Sequence, residues 1–192
     1  GGGDKGEKAP NLVLYKRQRL FDYPPLEENE APRGTIGIPR VLNMYENYPF
    51  WATFFKELGF RVVLSPFSTR KIYEKGMESI PSESECYPAK LSHGHVQWLI
   101  DQGIKTIFHP CVFYEHQETK QAQNHYNCPI VVSYAENLKN NVEAISNGDV
   151  HYIRPFIAFT SEKTAADRLV KTAAEEWGIP AKEVRAAVHK AW

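Results

Sequence analysis

Three features of this 192-residue sequence predict an α/β fold with a mostly parallel sheet. Short apolar runs alternate with longer segments whose apolar residues recur at helical spacing, and glycine or proline punctuates the junctions. A composition of 42% hydrophobic and 24% charged residues is that of a chain able to bury a core without metal or disulfide staples. The length suits one domain, or one domain with a tail.

Residues 1–33 are rich in glycine, alternating charge and turn-forming prolines and read as a linker or adaptor, with LVLY (12–15) able to dock as an edge strand. Residues 34–160 carry the α/β pattern. TIGIPR (35–40) is the first buried strand, closed by Pro39. A helix over 43–60 follows, with Asn47 as cap, Pro49 in its first turn and Phe50, Phe54, Phe55 and Leu58 on one stripe before Gly59. RVVLSP (61–66) is the second strand and 68–77 a short capped helix. Another helix begins near Pro88 and runs to Gly103, leading into a third strand, IKTIFHPC (104–111). Beyond a polar stretch at 114–127, CPIVVSY (128–134) reads as the fourth strand and 135–145 as a helix. HYIRPFIAFTS (151–161) is a last strand or an extended crossover, since Pro155 argues against a central strand. A Ser161 cap opens a helical hairpin over 161–192. Its Val184, Ala187, Val188 and Trp192 need a surface, which suggests a chain that continues. Right-handed crossovers between these strands give a Rossmann-like or flavodoxin-like sheet with helices on both faces.

Lys plus Arg and Asp plus Glu are both 23, so no basic field attracts nucleic acid. No apolar run reaches membrane-spanning length, the N-terminus lacks a signal peptide's apolar core, and the expected location is cytoplasmic. There is no GxGxxG and no phosphate-binding P-loop, so neither NAD nor ATP binding is expected. The aromatic group Tyr45, Tyr48, Phe50, Trp51, Phe54 and Phe55 reads as core packing.

Chemistry is expected beyond the carboxyl ends of the strands, at PRVLNMYEN (39–47), SPFSTR (65–70), HPCVFYE (109–115) and SYAEN (133–137), with PSESECYPAK (81–90) reaching the same edge. The three cysteines, Cys86, Cys111 and Cys128, are odd in number and widely spaced, a poor disulfide set. Cys111 follows the third strand and Cys86 precedes a helix, so both thiols can face one site as metal ligands; Cys111 can equally be a small buried hydrophobe. Cys128 can approach the same edge or sit at the opposite end. Without a CxxC pair a closed zinc site is unsupported. A cluster on two or three cysteines needs a further ligand from elsewhere. Glu83, Glu85 and Lys90 surround Cys86, while His109 and Glu115 flank Cys111. A nucleophilic cysteine assisted by one of His93, His95, His109, His116 or His125 is the alternative chemistry, although each histidine reads more simply as core or solvated loop.

At PRVLNMYENYPFW, PSESECYPAK, HPCVFYE and NCPIVVSYAEN the sequence resembles the domain of unknown function found in large bacterial activases of CoA-substrate-specific enzymes. The resemblance covers about residues 34–160 and implies similarity to the cluster-carrying subunits of 2-hydroxyacyl-CoA dehydratases of anaerobic bacteria. It implies that Cys86, in the pattern E-C-x-x-x-K, and Cys111 occupy positions of iron–sulfur (4Fe-4S) ligands, with Cys128 as a third. It also implies electron transfer from an ATP-dependent activator module in the same or another chain, and a CoA-thioester substrate. A cluster so held would be lost in an aerobic sample. A metal-free domain that docks an activator, and a cysteine-dependent acyl transferase, are the other readings.

Overall fold

The central strand β1 (Thr35–Ile38) pairs in parallel with β2 (Arg61–Leu64) on one side and β3 (Thr106–Phe108) on the other, and β5 (His151–Ile153) pairs with β3. The resulting order, β2-β1-β3-β5, is seen in a computed structural model that describes residues 9–81 and 85–192. Residues alternate strictly between faces. Ile36, Ile38, Phe108 and Ile153 join one core cluster, while Ile107 and Tyr152 join the other. Gly37 lies opposite Leu99 and Ile104, and a Cβ there would come within 2.8 Å of Ile104. The missing side chain therefore lets a helix sit close to the sheet.

Helix α2 (Met44–Glu57) covers the first face, together with α7 (Glu162–Trp177) and α8 (Ala181–Ala191). Tyr48, Trp51, Phe54 and Phe55 are buried there as core packing, whereas Tyr45 is only half-buried. Val184, Ala187 and Val188 of the terminal hairpin find their surface on this same cluster. The second face carries α4 (Tyr87–Asp101), α5 (Pro129–Asn141) and the short α6 (Glu143–Ser146).

Two expected elements change type. LVLY lies in a helix, α1 (Leu12–Leu20), because the Asn11 side chain accepts from the Leu14 amide and caps it, and Arg17 and Arg19 suit its last turn. CPIVVSY is the start of α5, with Cys128 as N-cap and Pro129 in the first turn. The β-branched run misleads: Ile130, Tyr134 and Leu138 fall at helical spacing and face the core. Helix α2 also begins earlier than Asn47, so that Pro49 lies inside it.

The fourth sheet strand is instead β5, and it breaks at Pro155 before β6 (Phe156–Ala158). Its neighbour breaks likewise at Pro110 before β4 (Cys111–Tyr114), and β4 and β6 form a parallel pair of their own. The amides of His109 and Cys111 donate to the carbonyls of Ile153 and Pro155, both at 2.9 Å, so the hydrogen-bond ladder runs across both prolines. Two adjacent strands thus continue as a bent ribbon past the carboxyl edge. This ribbon leaves the ends of β1 and β2 open beside it.

Candidate functional site

The sheet order reverses direction between β1 and β3, so the loops after β1 and β2 meet the start of α4 at the crevice where open α/β sheets bind ligands. The turn Val41–Leu42–Asn43 that joins β1 to α2 holds Leu42 at φ 49, a left-handed conformation costing a branched aliphatic residue on the order of 1 kcal/mol. Beside it Arg40 donates from Nε to the Ser65 carbonyl at 2.8 Å. Its guanidinium lies 3.9 Å from the ring centre of Phe67 and 4.6 Å from that of Phe21. Arg17 covers the same Phe67 ring at 4.4 Å. Burial lowers the Arg40 pKa most, the Tyr45 and Tyr48 hydroxyls raise it, and Arg17 lowers it further.

Behind Arg40 lies a buried polar relay. The Arg40 amide donates to Ser65 Oγ at 2.7 Å, Ser65 Oγ lies 2.7 Å from His95 Nδ1, and His95 Nε2 lies 2.9 Å from Ser68 Oγ. Ser65 is wholly buried, so its own proton needs an acceptor, and His95 Nδ1 is the one in reach. That bonding leaves the imidazole proton on Nε2, donated to Ser68 Oγ, and frees the Ser68 O–H to point elsewhere. Burial, then the Arg40 charge, push the His95 pKa down to about 4, so the ring is neutral.

A second relay runs on the other side of α4. Ser79 Oγ bonds the Gly76 carbonyl at 3.0 Å and lies 2.7 Å from His93 Nδ1, whose Nε2 meets the Tyr134 hydroxyl at 2.8 Å. Burial lowers His93 to about 4. His109 Nδ1 bonds the Tyr152 hydroxyl at 2.7 Å, and burial, with His95 nearby, lowers it to about 3.

The predicted thiols fall into two environments. Cys86 and Cys128 are exposed N-caps of α4 and α5, two helices that pack together, and a proline stands in the first turn of each. Cys111 opens β4 instead of ending a strand at an open edge, and it is fully buried. Burial, reinforced by the Glu136 carboxylate against Arg154, raises its pKa to about 12 and keeps it a neutral thiol. Glu115 is a structural tie: its carboxylate accepts from Asn47 Nδ2 at 3.0 Å and from Asn127 Nδ2 at 2.6 Å. Lys90 is half-buried on α4, Glu85 is half-buried just before it, and Glu83 lies outside the described residues. As donors for iron, the two exposed thiols fit as accessible ligands and Cys111, as folded, does not. Among the described residues no three His, Cys, Asp or Glu side chains gather to hold a metal ion.

Within PRVLNMYEN and SPFSTR nothing in the sequence singles out Arg40, Ser65 or Ser68, and His95 stands out only as a candidate partner of a nucleophilic cysteine. The legible signal was a serine directly after the second strand and a histidine on the buried face of the helix that leads into the third strand.

The family described as CoA enzyme activase uncharacterised domain (DUF2229) matches residues 35–192. No curated protein matches the chain, and no solved structure does. No helix among the described residues is long and apolar enough to cross a membrane.

Proposed function

Because the chain belongs to the family of the CoA enzyme activase uncharacterised domain, we propose that it serves a CoA-enzyme activation system as an iron–sulfur electron-transfer module anchored by Cys86 and Cys128. One observation carries this reading: both thiols are exposed and cap successive, packed helices, each followed by a first-turn proline. A bound cluster would supply one-electron chemistry at a potential set by thiolate count, burial and hydrogen bonds to sulfur. Two thiols hold a cluster incompletely, so the remaining ligands come from a partner surface or another part of the system. An ATP-dependent activator would be the electron source, and a CoA thioester the class of compound acted on.

The test is iron and acid-labile sulfide per chain after anaerobic reconstitution of the parent, Cys86→Ser, Cys128→Ser and Cys111→Ser. Loss of iron in the first two, with iron kept in the third, is the expected result. A folded parent that takes up no iron, alone or with an activator present, overturns the proposal.

A second reading, a metal-free domain that docks an activator to its target, is favoured by the neutral, buried state of Cys111. Acyl transfer draws no support: that thiol is withdrawn from solvent, and His109 is engaged by Tyr152.

A further inference from the structure

A cavity of about 270 Å³ lies at the open carboxyl edge, lined by Arg40, Val41, Leu42, Tyr45, Ser68, Pro88 and Leu91. We propose that it binds a small carboxylate carrying a short aliphatic tail, with Arg40 and Ser68 on the carboxylate and Leu42, Pro88 and Leu91 around the tail. This site does not depend on the cysteines.

Three observations converge on it. Arg40 is a cation without a carboxylate among its described electrostatic neighbours, which include Tyr45, Tyr48, His95 and a second cation, Arg17. Its Nε is tied to the Ser65 carbonyl and its plane is stacked on two rings, so the terminal N–H groups are pre-oriented and remain available at the cavity wall. The relay through His95 leaves the Ser68 hydroxyl proton as a second donor at the same wall. Apart from Tyr45 the rest of the lining is apolar, and the strained Leu42 backbone places an aliphatic side chain there. One cation, the hydroxyls of Ser68 and Tyr45, and otherwise hydrocarbon walls match a monoanion with an apolar remainder better than a dianion. The volume falls below the roughly 300–1,000 Å³ of drug-sized sites, which suits a small acid better than a nucleotide or a whole CoA.

The experiment is an NMR titration of the full chain with butyrate and, separately, with inorganic phosphate, following Arg40, Leu42, Ser68 and Leu91. Butyrate is expected to saturate with a dissociation constant on the order of 1 mM, and phosphate to bind at least about tenfold more weakly. Arg40→Gln is expected to weaken butyrate about tenfold or more. Leu91→Trp, which fills the cavity and leaves Arg40 in place, is expected to abolish the shifts at Leu42 and Ser68 while the remaining spectrum is kept. No saturable shift at these four residues, butyrate binding unchanged in Leu91→Trp, or phosphate binding as tightly as butyrate would each overturn the proposal.

Discussion

Three histidines, His93, His95 and His109, are almost wholly enclosed, and each has a hydroxyl at hydrogen-bond distance. Because burial lowers their folded pKa values to about 4, 4 and 3 from an ordinary 6.5, the unfolded chain binds protons that the folded chain refuses. The stability they confer is complete above pH 6.5 and is lost as pH falls toward 4, by up to about 3 kcal/mol per histidine. Urea midpoints measured at pH 7.0, 5.5 and 4.5 should fall steeply over that window. Replacing His93 with glutamine, which keeps a polar ring-sized group but does not titrate, should flatten the fall. A midpoint independent of pH across the window would contradict this account.

At the scale of elements, the contact that organises both serine–histidine relays is the close crossing of α3 (Arg70–Gly76) on α4. A Cβ on Gly94 would lie 1.8 Å from the Ile72 carbonyl oxygen, and one on Gly76 would lie 2.2 Å from the Gly94 amide nitrogen. Backbone meets backbone there, so no side chain can give way. That approach holds Ser68, just ahead of α3, against His95, and Ser79, just beyond it, against His93. Gly94→Ala should therefore cost about 3 kcal/mol or more, at or beyond the upper range of overpacking, even though alanine is the better helix former. Thermal unfolding of Gly94→Ala beside the parent checks this, and a melting temperature at or above the parent's would refute it. The segment HGH in mid-helix offered a hint of this in the sequence. Only the partner helix tells whether a mid-helix glycine is an approach point or a weakness.

At the scale of the whole molecule, the terminal hairpin is part of the core and not an appendage. Leu169, Ala173, Val184, Ala187 and Val188 are buried in one cluster with Trp51, Phe54 and Phe55. Ending the chain at Ser161 should uncover that aromatic face, abolish cooperative unfolding and give strong binding of a hydrophobic dye. A truncated chain that melts cooperatively like the parent would show the hairpin to be dispensable. Much of this architecture was legible in the sequence. The periodicity of TIGI, of FWATFFKELGF and of the segment after Ser161 reflects burial along one strand or one helix face, a local property that composition and spacing encode. The exposed capping position of Cys86 was equally local, resting on a cysteine two residues ahead of Pro88. What tertiary structure alone decided was every assignment that depends on a distant partner. IVVSY became helix because its stripe had a core to face, the last strands were bent by Pro110 and Pro155 into a ribbon, and Cys111 went inside against Tyr134 and Tyr152. The meeting of Arg40, Ser65, Ser68 and His95 belongs to the same class, because residues separated by up to 55 positions share a site only after the crossovers have brought three loops to one edge of the sheet.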